Sequence, residues 1–354
     1  MKTSKLVAGA MALIVPATVC LTGCSIGFIN TINYKYENAD KYEAGNREVD
    51  DKITKINLDY ACGNVTVKGK ETDSVSVKET VNKDIDKDRQ VHTWVDGDTL
   101  YVRYCASKNA LNFTGIEKSL EITLPSAQNL DEFIINVSSG NIVLDSFTTD
   151  LLKSHSSSGN TKISCFAKAI DHKSSSGNVD LVQTGNADSI KVKLSSGNLV
   201  LNQDGDCSNF DIDSSSGKIE IYQTGNIGTA KIHSSSGGVK AEMGTVDDLS
   251  IEISSGPLVL DTVEAKNLYT KTSSGHSTIN LSKAPATSRI NCSSGGIDVS
   301  IPEDSDITVH TKISSGDFNY DLPFTKNGKD YINGNGTNDM EINCSSGNVG
   351  FHKI

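Results

Sequence analysis

Proline, aromatic residues and positive charge are all scarce in this chain of 354 residues. It has 6 prolines against 30 glycines, its aromatic residues make up 6%, and it has a single tryptophan. The formal net charge of −11 argues against nucleic-acid binding through a basic surface. Disorder is disfavoured as well, because valine, isoleucine and leucine recur at regular short spacing. The composition therefore indicates a folded, β-rich protein.

The sequence also lacks an apolar run long enough to predict a transmembrane helix, which needs about 20 apolar residues. The longest run, from Leu6 to Leu21, is interrupted by Pro16. Lys2 and Lys5 precede it, and small residues follow it. A basic start, a short apolar core and small residues before a cut are typical of a secretory signal peptide.

The end of this leader, Leu21-Thr22-Gly23-Cys24, resembles the lipobox of bacterial lipoproteins. The resemblance implies cleavage before Cys24 and a diacylglycerol thioether on its sulfur. An ordinary cleaved signal with a chance cysteine is the alternative. Two or three acyl chains on one cysteine give stable anchoring. We therefore expect the membrane to be a partner through the lipid on Cys24, on the extracytoplasmic face of a bacterial cell membrane.

Three segments follow from this interpretation: a lipoprotein signal peptide at 1–23, a lipidated N-terminus and tether at 24–50, and a repeat domain at 51–354. Residues 25–50 are mostly polar and lack a sustained periodic pattern. Removing the leader removes two lysines and no acidic residue, which takes the formal charge from −11 to −13. Such a body is not attracted to an anionic bilayer, so we expect it to stand off the membrane.

A tripeptide, Ser-Ser-Gly, recurs through the second half of the chain at steps of 18 to 21 residues, with one longer step of 31. A diverged copy, Ala61-Cys62-Gly63, lies near the start of the repeat domain. Self-similarity at about 20 residues predicts a solenoid, and the step is too short for helical-pair repeats. The repeat glycines are Gly140, Gly159, Gly177, Gly197, Gly217, Gly237, Gly256, Gly275, Gly295, Gly316 and Gly347.

Apolar residues alternate with polar ones on both sides of each glycine, which predicts two half-buried strands per repeat. They stand five residues before the glycine, as at Leu58, and two and four residues after it, as at Val65 and Val67. The position four after includes Tyr320 and Phe351. A second turn signal recurs eight residues after the first at Gly185, Gly205 and Gly225, each followed by one inward residue: Ala187, Cys207 and Ile227.

Each repeat is therefore expected to form one coil of an all-β, single-stranded parallel β-helix, a β-solenoid with coils of about 20 residues. Roughly a dozen coils at about 4.8 Å per rung give a rod about 55–60 Å long. Glycine supplies positive φ at the corner, and the asparagine that often follows caps local backbone. The serine directly before the glycine has the parity of the inward positions, which predicts an internal hydroxyl ladder. Eleven copies of Ser-Ser-Gly in register argue against a catalytic serine.

Charged residues provide a test of this register. Lys153, Asp171, Lys191, Asp211 and Lys231 stand six residues before successive glycines and alternate in sign. Stacked in register, opposite charges about 4.8 Å apart gain a few tenths of a kcal/mol each. We therefore predict an ion ladder in which Lys191 and Asp211 share a face.

Two segments interrupt the repeat and are the expected places for a binding site, since loops on rigid scaffolds usually carry function. One is a hairpin insertion at about 85–125, in which Asp96-Gly97-Asp98 predicts the turn. It carries Trp94, which is favoured as a packing residue over a ligand platform. The other is a loop insertion at about 317–340. Whether the two form one joint surface is open at this point.

The leader, the Ser-Ser-Gly-Asn coils, the Asp-Gly-Asp hairpin, the strand ends Leu124-Pro125 and Ile301-Pro302 and the closing Ser-Ser-Gly-Asn-Val together resemble the DUF4097 family. Its members are β-strand-repeat proteins of the bacterial surface or envelope that are labelled adhesins, and some are associated with envelope stress systems. The likeness runs from about residue 50 to the end. It implies a right-handed parallel β-helix and brings no catalytic residues with it.

The remaining cysteines are interpreted as buried apolar thiols. Cys292 and Cys344 are expected to be separated by an intervening coil and hence by roughly 10 Å, beyond disulfide reach. A Cys62–Cys105 bridge stays open. Cys165 is expected to point inward. No spacing indicates zinc, and the histidines are scattered, so we expect no metal, cofactor-binding or catalytic residues.

Three functions are compatible with these features. The favoured one is a non-enzymatic, lipid-anchored cell-surface β-solenoid that acts as an adhesin or envelope interaction module for an unknown extracellular protein or polysaccharide. The first alternative is a β-helix that binds or cleaves carbohydrate, although most of its turns are equally short, which leaves no groove for a substrate. The second is a component of a cell-envelope stress sensor with a membrane-protein partner.

Overall fold

The computed structural model describes residues 31–354, apart from the side chain of Thr262. The expected signal peptide at 1–23 and the lipid site Cys24 lie outside the described residues. The described chain consists of strands, with single 3₁₀ turns at Ala39–Lys41 and Lys87–Arg89. Among residues 31–354, no helix is long and apolar enough to cross a membrane.

The strands of the N-terminal part are short, and several pair antiparallel. They are β1 Thr31–Tyr34, β2 Glu43–Ala44, β3 Arg47–Val49, β4 Lys55–Cys62, β5 Asn64–Lys70, β6 Val75–Val81, β7 His92–Asp96, β8 Thr99–Arg103, β9 Lys108–Asn112, β10 Lys118–Pro125 and β11 Asn129–Ser139.

The central strands pair in parallel, each with its counterpart about 20 residues further on. They are β12 Ile142–Ser158, β13 Thr161–Ser174, β14 Val179–Thr184, β15 Ala187–Leu194, β16 Leu199–Asp204, β17 Cys207–Ser216, β18 Ile219–Ser236, β19 Val239–Ser255, β20 Leu258–Ser274, β21 Ser277–Leu281, β22 Thr287–Ser294 and β23 Ile297–Ile301.

The C-terminal part returns to short strands and includes an antiparallel hairpin. Its strands are β24 Ile307–Ile313, β25 Phe318–Tyr320, β26 Thr325–Asn327, β27 Asp330–Asn333, β28 Asn338–Ser346 and β29 Val349–Lys353. The fold is thus all-β and solenoid-like, whereas its classification as a right-handed, single-stranded parallel β-helix stays a prediction.

The predicted register is confirmed. Lys191 pairs with Asp211 across neighbouring parallel strands, with 3.1 Å between Nζ and Oδ2. Lys193 and Asp213 form the next pair on the same face, at 3.7 Å. The alternating aliphatics line a continuous core, in which Leu58 is fully buried along with most of its counterparts in the other coils.

The corner glycines stack directly over one another, which explains why no other residue replaces them. Gly217 has a φ of 112°, a conformation that side chains with a Cβ rarely adopt. A Cβ at this position would also overlap the carbonyl oxygen of Gly197 in the preceding coil. Conformation and close approach therefore both require glycine.

The predicted ladder of serines directly before the glycines is wrong. Ser216 and its counterparts in neighbouring coils are exposed, and the inward hydroxyl stands two residues earlier, at Ser214. The alternation of inward and outward side chains ends where the backbone turns into the corner with positive φ. It therefore cannot be extended to the serine directly before the glycine. Ser214 Oγ donates to the carbonyl of Ser216 at 3.3 Å, within its own turn.

The order of the coils departs from the order of the sequence at both ends. The last coil, β28 and β29, lies between the coil of β22 and β23 and the coil of β24 and β25. At the other end, β4 and β5 lie between β8 and β10 on one side and β11 and β12 on the other. The expectation that successive copies always stack on one another therefore fails at the two ends.

The segment boundaries also change. Residues 31–49, assigned above to the tether, form β1, β2 and β3, which pair antiparallel with β9, β7 and β6. Ile32, Tyr34 and Val49 are buried in the core, so a tether does not extend over these residues. The predicted hairpin is present as β7 and β8, but β8 and β10 form the terminal coil and are not an insertion.

Candidate functional site

The two irregular segments lie at opposite ends of the stack of coils. The coil of β8 and β10 closes the N-terminal end, and β24 to β27 close the C-terminal end. They therefore do not form one joint surface. Each end has to be considered as a separate candidate site.

The C-terminal end is closed by aromatic side chains. In the terminal coil, the inward positions of the repeat are Phe318 and Tyr320, and no further coil covers them. The chain folds back instead, placing Phe324 and Tyr331 against them at ring-centroid distances of 4.5 to 5.4 Å. Phe351, from the inserted last coil, packs 5.4 Å from Phe324. These five rings, the C-terminal aromatic cluster, form the terminal layer of the core.

Tyr320 stays 43% exposed, although the same position is buried in most coils. Among residues 31–354, the only other exposed large apolar side chain is Ile354, the last residue. Terminal repeats of a solenoid normally present a polar outer face, and exposed apolar surface marks interaction sites. The C-terminal aromatic cluster is therefore a candidate interaction surface.

A chain of histidines and carboxylates runs along the outer face beside this cluster. Asp298 lies between His276, whose Nε2 is 2.8 Å from Oδ2, and His352, whose Nε2 is 3.6 Å from Oδ1. His352 Nδ1 lies 3.4 Å from Asp321, the residue after Tyr320. A Cβ at Gly350 would collide with Asp298 and His352, so glycine makes room for their contact.

The backbone N–H of Lys353 donates to Asp321 at 2.8 Å. This hydrogen bond, together with His352, holds the pKa of the Asp321 carboxyl below its usual value. The carboxylate therefore stays charged next to the exposed ring of Tyr320. An aromatic face beside fixed polar groups is a common composition of binding surfaces.

The hairpin of β26 and β27 is attached to the terminal coil by His310. Its Nδ1 lies 2.7 Å from Asp330 on β27, and its Nε2 lies 2.9 Å from Asp339 on β28. The hydrogen bond to Asp330, with the charges of both carboxylates, raises the pKa of His310. When protonated, the ring donates to both strands and fixes the surface on which Tyr331 lies.

At the N-terminal end, a buried ion pair holds the exchanged coils together. Lys118 Nζ lies 2.8 Å from Glu79 Oε1, and both side chains are buried. Tyr60 donates its hydroxyl to the same carboxylate at 3.0 Å, and Lys118 also donates to the carbonyls of Arg89 and Tyr104. Each charged or polar group of this cluster therefore has an ion-pair or hydrogen-bond partner, which indicates a structural role.

The cysteines partly follow the sequence interpretation. Cys165, Cys207, Cys292 and Cys344 are buried, which confirms their inward direction. The expected separation of Cys292 from Cys344 is wrong, because the exchanged coil order makes them direct partners on neighbouring strands. The structure contains no bond between Cys62 and Cys105.

The part of the chain described by the structure shows no group of three or more His, Cys, Asp or Glu side chains arranged to hold a metal ion. A shallow depression of about 430 Å³ lies on the side of the rod, next to Tyr269 and Lys231. Three carboxylates line it: Asp248, Asp339 and Glu341. Each is paired with or hydrogen-bonded to a neighbouring side chain.

Sequence comparison identifies the family. The model of the family described as Toastrack, DUF4097, matches residues 53–186 and 182–351. The chain belongs to the Toastrack family. No curated protein matches it.

Three solved structures are similar to this Toastrack chain. One is a "putative adhesin" from Parabacteroides distasonis, with 15% identity, 89% of this chain and 97% of that chain covered, and a TM-score of 0.42. Another, from Bacteroides fragilis, has the same description, 14% identity, coverage of 87% and 96%, and a TM-score of 0.23. The third is a "putative cell adhesion protein" from Clostridium sporogenes, with 12% identity, coverage of 88% and 100%, and a TM-score of 0.20.

The sequence predicts a binding site in one of the two irregular segments, at about 85–125 or 317–340, but it does not predict the aromatic chemistry of the second. The repeat pattern predicts that Tyr320 points inward, because its position in the repeat is apolar in every coil. The available signal was the density of aromatic residues: four stand between Phe318 and Tyr331 in a chain that has only 6%.

Proposed function

We propose that this protein is a non-enzymatic, adhesin-like surface protein of the bacterial envelope that is anchored by a lipid on Cys24 and binds its partner through the C-terminal aromatic cluster. The observation that carries the proposal is the exposure of Tyr320 at the end of the rod opposite the N-terminal strands. The lipobox-like leader supports the anchor. Family membership supports the envelope location, and the right-handed β-helical winding belongs to the same proposal.

The geometry of the rod favours this division of roles. Stacked rungs about 4.8 Å apart place the two ends about 55–60 Å from one another. A lipid on Cys24 holds the N-terminal end near the membrane. The C-terminal aromatic cluster then lies at the far end, where a partner outside the membrane can reach it.

The proposal is tested with an array of wall and host glycans, probed with the protein and with Tyr320→Ser. We expect binding that Tyr320→Ser weakens at least tenfold, because interface hot spots, which are enriched in tyrosine, cost about 2 kcal/mol or more when truncated. Tyr269→Ser is the matched control, since Tyr269 lies on the side of the rod, and it should bind like the parent. Equal binding by Tyr320→Ser contradicts the assigned surface.

A turnover assay on the bound glycans separates binding from cleavage. We expect no release of reducing ends. Release at a rate above that of a heat-unfolded sample contradicts the non-enzymatic assignment. If no glycan binds, the same three proteins are compared in pull-downs from envelope membranes, where a partner lost only with Tyr320→Ser supports a protein ligand.

A further inference from the structure

The sole tryptophan of the chain lies in a half-exposed aromatic surface at the N-terminal end. Trp94 stacks on Tyr101 with 5.1 Å between ring centroids and 18° between planes. Tyr42 lies 5.6 Å from Trp94, and Tyr36 lies 4.7 Å from Tyr42. All four rings are only partly buried. Tyr36, Tyr42, Trp94 and Tyr101 are called the N-terminal aromatic surface below.

Two cations lie over these rings. Lys41 Nζ is 4.7 Å from the ring of Trp94. The guanidinium of Arg103 is 5.5 to 5.9 Å from the rings of Tyr36, Tyr42 and Tyr101. Lys41 is exposed and Arg103 is half-buried. Cations over aromatic faces stabilise the cluster and leave positive charge at its rim.

The position of this surface along the chain limits what can lie next to it. Six residues separate Cys24 from Thr31, where β1 begins. Even fully extended, seven residue steps span only about 25 Å. Tyr36 lies two residues after the end of β1, and Tyr42 lies six residues later. A lipid on Cys24 therefore keeps the N-terminal aromatic surface close to the bilayer.

We propose that the N-terminal aromatic surface contacts the phospholipid headgroup layer and orients the rod on the membrane. Tryptophan and tyrosine concentrate at membrane–water interfaces, because an apolar ring and a polar edge suit the headgroup region, and lysine and arginine accompany them there. The exposed acidic residues Glu37, Asp40 and Glu43 flank the surface, so the contact depends on the rings and does not require anionic lipid. This inference rests on the proposed lipid anchor.

Trp94 makes the test direct, because it is the only tryptophan in the protein. The lipidated protein is reconstituted into phosphatidylcholine vesicles with and without brominated acyl chains, which quench tryptophan on contact. We expect the emission of Trp94 to shift to the blue on vesicles and to lose intensity with brominated lipid. The matched control carries Trp94→Phe together with Tyr269→Trp on the side of the rod, and its emission should be unchanged.

Flotation of the same samples distinguishes a failure of the headgroup contact from a failure of the proposed lipid anchor. Protein that floats with the vesicles while Trp94 is unquenched overturns the headgroup contact and leaves the anchor intact. Protein that does not float overturns the anchor, and the contact that rests on it falls as well. Equal quenching in the control shows that the whole rod lies on the membrane, which also overturns an orienting role for this surface.

Discussion

Single residues in the corners hold neighbouring coils in register. In every coil where asparagine follows the corner glycine, its Oδ1 accepts a hydrogen bond from a backbone N–H of the next coil. The accepting residues are Asn64, Asn141, Asn160, Asn178, Asn198 and Asn348. The sequence predicts a turn from Gly-Asn and a local cap for the asparagine. It does not reveal the partner, because that partner lies 18 to 77 residues away in the sequence and contributes only its backbone.

The stacked glycines give the first prediction. Gly217→Ala should lower the free energy of unfolding by more than about 3 kcal/mol, a loss in the range of severe core defects, because the Cβ meets the backbone of Gly197. Gly97→Ala is the matched control: its φ is also positive, at 61°, but a Cβ there meets nothing within 4 Å. The control should lose only about 1–2 kcal/mol. Urea unfolding of both variants measures the difference in the free energy of unfolding. Equal losses contradict the predicted overlap between the Cβ and the backbone of Gly197.

A buried histidine gives a second prediction at the residue scale, on how the stability of the fold depends on pH. His172 is fully buried, and neither ring nitrogen has a hydrogen-bond partner. Burial lowers its pKa to about 4. The unfolded chain therefore binds this proton more readily than the folded protein, and the stability contributed by neutral His172 is lost as pH falls from about 6.5 to about 4.

Unfolding in urea at pH 7 and pH 5 tests this sign. The parent should lose about 2 kcal/mol more between these conditions than His172→Leu, which cannot take up the proton. His233→Leu, at an exposed position, controls for the loss of a histidine and should keep the parent's pH dependence. A parent and a His172→Leu variant with the same pH dependence contradict the assignment.

At the scale of elements, the alternation of apolar residues predicts the strands and their parallel register, but not the order in which the coils stack. Every coil offers nearly the same inward face, so the pattern cannot distinguish one neighbour from another. The exchanged order depends on contacts at the ends: Lys118 with Glu79 at one end, and His310 with Asp330 and Asp339 at the other. These partners are far apart in sequence, and no repeat position identifies them.

Engineered cysteines test the exchanged order at the C-terminal end. Asn291 pairs with Asn343, and Asn343 pairs with Lys312 one rung further on. Directly paired strands bring Cα atoms within disulfide range, whereas two rungs, roughly 10 Å, exceed it. With Cys292 and Cys344 replaced by serine, Asn291→Cys with Asn343→Cys should cross-link under mild oxidation.

The matched control is Asn291→Cys with Lys312→Cys, which should stay reduced under the same conditions. Peptide mapping after digestion without reductant measures both pairs. Stacking in sequence order predicts the opposite result, because residues 291 and 312 would then be neighbours. A cross-link confined to the control pair therefore contradicts the inserted last coil.

At the scale of the whole molecule, the proposed function assigns the N-terminal end of the rod to the membrane and the C-terminal end to the partner, and the charge of the rod opposes lying flat. The formal charge of −13 after removal of the leader repels an anionic bilayer. A fluorescent donor on Asp96→Cys, in the hairpin turn of the N-terminal end, should therefore transfer energy strongly to acceptors on the headgroups of reconstituted vesicles. A donor on Lys329→Cys, in the exposed turn of the C-terminal hairpin, should transfer weakly, because about 55–60 Å separates the two ends.

Vesicles without acceptor lipid provide the reference for each donor. Equal transfer from both positions indicates a rod that lies along the membrane, in which case Tyr320 is held at the bilayer surface and the C-terminal aromatic cluster cannot reach a distant partner.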